Sequence, residues 1–597
     1  MRIPFANLVL AAGMIAATLQ AAGTETAAFR RVSAYEASAM EKAAGALATR
    51  SVANMWIWAD KYVYQPGEQL TLRWTSKPNA DLFPVTIVAY RQNNQTGQKF
   101  YVPGGAETVT DIFGRTMQQG FDVVQIPSAE KAVLLGAGGL LGGAVTIPNE
   151  LGMHTVIVEL RDYTGNTVLK RSYFKISVVN EVVTVSAPIT ADTTWVNTKH
   201  YRLAGTIFVE NGASLTIEPG TVIIGEPGSQ PPSALIVTRG SKLMSNGTKS
   251  RPVIFTSSLP VGQRRPGDWG GMALAGRAPT NEAGGEGTVE GLPAGERSRF
   301  GGNDPEWDCG SISYTRIEFG GAELAQDREI NSIGWASCGS KTRASHIQAH
   351  YGSDDSFEWF GGTMNASHLV ATGGQDDGFD IQLGYTGKVQ HLVAYWYDDS
   401  PGDHGIEADN NETNNSATPF TNATLYNATF VTAQTECVSG GCDGARLRRG
   451  LKGNYSNLIF QGFSSDTVDI RDAVTTTNIQ NGELVMNGVI GWNNNRGKNG
   501  PNTIEGQFPQ DTARQFATGA IGKGKNFLVA NPMFRSLEQS DWDLRPAPGS
   551  PLQSVRWDLP AADSFIDSTA RYVGAFDTED WTEEWTNKLR ESDLTVQ

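Results

Sequence analysis

Three times in its middle the chain repeats one phrase, His-hydrophobe-x-Ala followed shortly by two aspartates. The copies are His346-Ile347-Gln348-Ala349 with Asp354-Asp355, His368-Leu369-Val370-Ala371 with Asp376-Asp377, and His391-Leu392-Val393-Ala394 with Asp398-Asp399. The histidines are 22 and 23 residues apart and the acidic pairs 22 and 22. A period in this range marks stacked repeats, and about 22 residues suits one coil of a parallel β-helix. Stacking would set equivalent carboxylates on neighbouring rungs, roughly 4.8 Å apart. At that spacing they repel, so a cation, a proton, an arginine or open water has to offset them.

Composition agrees with coils rather than helices. Gly accounts for 67 of 597 residues, above the ~7% of an average chain. Charged residues make up 19%, below the usual ~25%. The formal net charge of −15 argues against nucleic-acid binding, since phosphates would be repelled. Residues 1–23 read as a secretory signal: Arg2, an apolar run from Leu8 to Leu19, and the small residues Ala21-Ala22-Gly23. The run is too short to span a bilayer, and no transmembrane segment is expected elsewhere. The protein is therefore expected to be secreted, to the periplasm or beyond. Its four cysteines fit disulfides in such a compartment. The tight loop Val-Ser-Gly-Gly favours Cys437–Cys442, and Cys309–Cys338 follows by elimination.

Residues 24–50 form a flexible or weakly helical leader, and 51–182 read as an immunoglobulin-like β-sandwich. Alternating strands there, such as Leu70 to Trp74 and Val168 to Val179, are separated by turn residues. The Gly-rich apolar insert Ala132 to Val145 is either a buried loop or a docking patch. Residues 185–560 show short strands with Gly or Asn corners and no helices between them, the pattern of a right-handed parallel β-helix. Within it, Arg277 to Cys309 reads as a loop thrown out from one coil. Residues 561–597 form a tail whose Trp581 and Trp585 are expected to dock over the open end of the helix. The fold class is all-β, a sandwich followed by a β-helix.

The runs NGASLTIEPGTVI, GDWGGMALAG, IEFGG, DDSFEWFGG and DWDLRPAPGSPL resemble a family of secreted bacterial right-handed β-helix proteins of the pectin-lyase-like superfamily. The resemblance covers roughly 185–585 and implies the fold more than an activity. A second resemblance concerns polygalacturonase-type glycosidases. Their order of motifs is similar to Asp355, then Asp376-Asp377, then His404-Gly405, then Arg446-Leu447-Arg448. The departures are a missing Asn-Thr before Asp355, Asp403 before the histidine, and Arg448 in place of a lysine. The resemblance implies that Asp377 is the general acid, that Asp355 and Asp376 position water, and that His404 and Arg446 hold substrate. Such an inverting hydrolase separates its two carboxyls by roughly 6.5–9.5 Å. A lyase would instead use Ca²⁺, with Arg446 or Arg448 near the proton abstracted.

Strand alternation assigns the faces. Phe357, Trp359, Phe379, Ile381, Ile406 and Leu447 point inward. Glu358, Asp380, Glu407, Arg446 and Asp469 form an outward ladder beside the Asp pairs. The acids Asp354, Asp355, Asp376, Asp377, Asp380 and Glu407 are candidate Ca²⁺ ligands, because Ca²⁺ takes 6–8 oxygens. The alternative is that these aspartates cap turns through backbone N–H groups. The repeated histidines are expected to open each strand and pack, with metal ligation as the alternative. Trp396 is a candidate sugar platform. Two functions remain open: a secreted protein acting on or binding polysaccharide or cell-surface glycan, as hydrolase or lyase, and a calcium-stabilised structural or adhesion protein without catalysis.

Overall fold

A computed structural model describes residues 54–594, with interruptions between 71 and 167 and at 326–327, 401, 435–436, 438–440, 496–502, 504–507 and 556–562. The signal, the leader and most of the Ala132–Val145 insert lie outside the described residues.

Two long parallel ladders carry the second part of the chain. One runs through fifteen strands and includes Arg343–His350, Asn365–Thr372, Lys388–Trp396, Asn422–Thr432 and Lys452–Gln461. The other runs through nine, among them Ile333–Ala336, Phe357–Phe360, Phe379–Gln382, Ile406–Asp409, Ala445–Arg448 and Val468–Ile470. From Gly310–Glu318 to Leu484–Trp492 each coil contributes one strand to each ladder, so the chain supplies its own crossovers. The parallel strands end with Lys525–Val529, and Phe534–Ser536 then pairs antiparallel with Asp543–Pro546. The expected extension of the coils to residue 560 is therefore too long.

The core lies between the ladders, filled by the side chains that alternation turned inward. Phe357 stacks on Phe379 at 5.2 Å and Trp335 on Trp359 at 5.2 Å. The outward ladder keeps the expected register: Glu358 pairs with Asp380, Asp380 with Glu407, Glu407 with Arg446, and Arg446 with Asp469.

The repeated histidines do not open their strands. Each sits mid-strand in the left-handed region, with φ of 54° at His346, 57° at His368 and 62° at His391. The residues on either side stay paired, Ser345 with Ser367 and Ile347 with Leu369. One left-handed residue thus folds a long strand around a corner without breaking its ladder. The same column begins at Tyr314 and continues as Asn427 and Asn457. Asn and His tolerate this conformation better than most residues. The rings also pack on one another, His346 stacked on His368 at 4.4 Å and 4° and His391 tilted by 34° against His368 at 4.6 Å.

Two sheets, of three and six strands, carry most of the described N-terminal part, beside two two-stranded ones. Asn54–Ala59 pairs antiparallel with Leu72–Lys77, and Val168–Val178, Gly152–Arg161 and Val85–Asn93 make the centre of a six-stranded sheet. Met55, Ile57, Tyr64, Val158 and Ile176 are buried between them. The connections that would define an immunoglobulin-like topology fall largely outside the described residues.

The tail does not cover the open end. It runs along the side of the coils: Trp581 and Trp585 set their ring edges against His346, and Trp581 also meets His368. Leu589 and Leu594 enter the N-terminal core. At this junction Arg264 pairs with Glu591 (Nε to Oε1, 3.0 Å) and Glu318 (3.6 Å), Arg316 pairs with Glu318 (2.8 Å), and Asn587 donates to Tyr62 and Glu318. The far end of the coils is closed by other residues. The Gln510 amide pairs with the N–H and C=O of Ile470, and helix Asp511–Ala517 buries Phe516 against the core.

Candidate functional site

The acidic pairs stand at the corner where the chain enters each strand of the nine-stranded ladder. Backbone bonds fix their columns, with Ser356 N–H donating to Asp377 C=O, Gly378 to His404, Gly405 to Asp443 and Gly444 to Asp466. One column is therefore Asp355, Asp377, His404, Asp443, Asp466. The preceding column is Asp354, Asp376, Asp403. The third pair in register is Asp403-His404, with an imidazole in place of the second carboxylate, and the even spacing of Asp398-Asp399 misleads. Asp398 instead pairs with Arg590, and Asp399 accepts from Tyr351 and Ser592, so both hold the tail.

Asp355 accepts the N–H of Asp377 at 3.0 Å, Asp377 that of His404 at 2.7 Å, and Asp443 that of Asp466 at 3.0 Å. These bonds run 22 to 27 residues along the chain and tie each coil to the next, where the turn-capping alternative expected nearby N–H groups. His404 is fully buried, with Asp403 against Nδ1, Asp377 at 3.6 Å and Asp443 at 3.8 Å from Nε2.

One oxygen each from Asp354, Asp355 and Asp376 lies within 4.8 Å of the others, and the same holds for Asp355, Glu358 and Asp380. Among the described residues no lysine or arginine pairs with any of these five. Two unit charges this close repel by about 3.5 kcal/mol at an effective dielectric of ~20. Burial, then the neighbouring acids Asp376, Glu290 and Glu329, push Asp354 up to about 8. Burial, Asp403 and Glu407 push Asp376 up to about 6. Burial and then neighbouring acids hold Asp355, Glu358, Asp377 and Asp380 well above the usual carboxylate range. The cluster carries more negative charge than its surroundings offset. These acids and their neighbours supply the oxygens that a Ca²⁺-like ion takes.

The remaining expected site residues are placed otherwise. Glu407 pairs with Arg448, and Arg448 also binds Asp409 at 2.9 Å. Arg446 is held by Asp443 at 2.9 Å and lies 3.5 Å from Asp469. Both guanidiniums are engaged by the protein's own acids. Trp396 is 2% exposed, packs against Phe463 and points its Nε1–H at the Asp376 carbonyl, so it offers no ring face to a sugar. Beside the corner lies a shallow recess lined by Asp403, Thr432, Gln434, Cys442, Phe463 and Ser464.

A family model for the pectate-lyase-like β-helix domain matches residues 187–529, the span of the coils. The chain belongs to this family. No curated protein matches it. Membership in the pectate-lyase-like β-helix family agrees with the two parallel ladders. The disulfides Cys309–Cys338 and Cys437–Cys442 both form as the sequence expects. Family and disulfides together fit an extracellular protein. Among the described residues no helix is long and apolar enough to cross a membrane.

Sequence reasoning missed four contributors. Asp443 was legible, since Asp377-Gly378, His404-Gly405 and Asp443-Gly444 share one position before a strand. Asn331 and Gln382 are ordinary amides whose importance comes from Glu358 beside them. Glu290 sits on the thrown-out loop, where no periodicity reaches.

Proposed function

We propose that this protein binds acidic polysaccharide through a divalent cation, Ca²⁺ by its oxygen-only ligands, held at the corner of Asp354, Asp355 and Asp376. The β-helix then acts as a rigid extracellular scaffold. The observation that carries this reading is the close unpaired set of Asp354, Asp355 and Asp376. Asp354 and Asp376 are only partly covered, so an ion there keeps open positions for a ligand carboxylate. Burial of His404, Asp355 and Asp377 and the engagement of Arg446 speak against hydrolysis by the polygalacturonase pattern.

A hydrolase or lyase is the second reading, favoured by one observation. Asp354 near 8 and Asp376 near 6 would leave one acid protonated and one ionised at neutral pH, as a general acid and base require. A panel of neutral and uronic-acid polysaccharides separates the two. Retention on the uronic polymers that disappears with chelator, without reducing ends or unsaturated products, is expected. Product formation on any polymer would replace the scaffold with the enzyme, and absence of retention would remove the binding reading.

A further inference from the structure

The outward ladder holds a second arrangement apart from the open corner. Glu358 and Asp380 are adjacent rungs, and Asp355 reaches them from its column. The rung before Glu358 is Gly334 and the rung after Asp380 is Glu407. Gly334 brings no side chain, and Glu407 is already paired with Arg448. The negative charge is thus unpaired at the two middle rungs only.

An amide outside the acid set gives an independent sign of a missing partner. Asn331 is 2% exposed, its Nδ2 donates to Glu358, and its Oδ1 has no partner. Asp380 is 8% exposed and its Oδ1 also has none. Gln382 donates one Nε2 to both Glu358 Oε1 (2.6 Å) and Asp380 Oδ2 (3.2 Å), fixing the two carboxylates side by side. Asp355 has one oxygen on the Asp377 N–H, leaving its other oxygen. Buried polar atoms are seldom left unpaired. Here the orphans are oxygens, in a set that contains three carboxylates and an amide carbonyl. This is the donor chemistry of a hard divalent cation.

We propose that Asn331, Asp355, Glu358 and Asp380 hold a second, buried Ca²⁺-type ion, and that Asp355 bridges it to the ion at the open corner. The proposal rests on the cation reading above and adds a division of labour. The corner ion exchanges and meets the polysaccharide, while the buried ion ties adjacent coils together. Two divalent ions offset four of the five negative charges on Asp354, Asp355, Asp376, Glu358 and Asp380.

The test is calorimetric titration of Ca²⁺ alone into the full-length chain after chelation and dialysis. Two equivalents per chain are expected. Glu358→Gln with Asp380→Asn should leave one equivalent, and Asp376→Asn should keep the buried one while losing retention on uronic polymers. One equivalent or none in the native chain overturns the proposal, as does a Glu358→Gln/Asp380→Asn chain that still takes two. Should that variant fail to fold, Asn331→Leu is the substitute. A second equivalent at least tenfold weaker is expected there, and an unchanged affinity overturns the proposal. Two equivalents without polysaccharide retention would sink the functional reading and leave this one standing. Retention with a single equivalent would do the reverse.

Discussion

The carboxylate of Asp355 accepts the backbone N–H of Asp377 at 3.0 Å, one coil further along. A side chain placed by sequence among the catalytic candidates is thus part of the scaffold that spaces the coils. Asp355→Ala removes the acceptor and leaves a buried N–H unpaired, which costs about 1–3 kcal/mol. Asp355→Asn keeps an acceptor and removes a charge. In chelator, urea midpoints should therefore fall for the alanine variant and hold or rise for the asparagine variant.

Stability without metal should fall as pH rises. Asp354 and Asp376 are raised in the folded chain, to about 8 and about 6, above the ~3.9 of an unfolded aspartate. Their contribution is complete below the unfolded value and is lost as pH climbs through the folded values. The ladder histidines, held down at about 4, 2 and 4 by burial, take up protons in the unfolded chain near pH 6.5 and oppose this slope there; between pH 7.5 and 8.5 they are largely neutral in both states and add little. Melting temperatures of chelated protein should drop across that window, and saturating Ca²⁺ should flatten the curve.

The His column is a test of backbone geometry. His368 has φ of 57° and packs between His346, on which it stacks, and the tilted ring of His391. Asn suits the same bend, as Asn427 and Asn457 show further along the column, so His368→Asn should cost little backbone strain. His368→Val places a β-branched residue in a conformation that costs L-residues roughly 1–2 kcal/mol, and also strips the ring from under Trp581. A larger urea shift for valine than for asparagine is expected. Faster proteolytic trimming of the tail should accompany it.

The tail is pinned by a buried charge. Glu591 binds Arg264 beneath the N-terminal sheet, and burial is nearly complete on both sides. Glu591→Ala leaves Arg264 with Glu318 at 3.6 Å as its nearest carboxylate, beside the Tyr62 and Phe319 rings. Removing one partner of such a pair costs about 3–5 kcal/mol. Denaturant unfolding should show this loss, and Glu591→Gln should recover part of it by keeping the hydrogen bond to the N–H of Gly262.

The fold was largely readable, and the site only in part. Inward Phe357 and Trp359 and outward Glu358 and Asp380 follow from strand alternation, which is local. Cys437–Cys442 follows from closure of a short loop, and Cys309–Cys338 from elimination. Asp398-Asp399 kept the period and still fell outside the column, because column membership depends on how many residues the chain spends in the turn. The chain spends more residues after Asp399 before the next strand begins at Ile406, so Asp403-His404 takes the place. Trp396 shows the same limit, since alternation names two faces but not what covers them.

The sequence by itself determined the coil period, the faces of the strands, the register of the outward ladder and the short Cys437–Cys442 disulfide. These depend on backbone stereochemistry and short closures, which act over a few residues. Only the tertiary structure decided which acids are paired. Arg448 meets Glu407 across one rung, the Arg277–Cys309 loop brings Glu290 close enough to raise Asp354, Glu358 and Asp380, and the tail takes Asp398 and Asp399. Charge balance at a corner is summed over everything that packs there, and those partners come from distant parts of the chain.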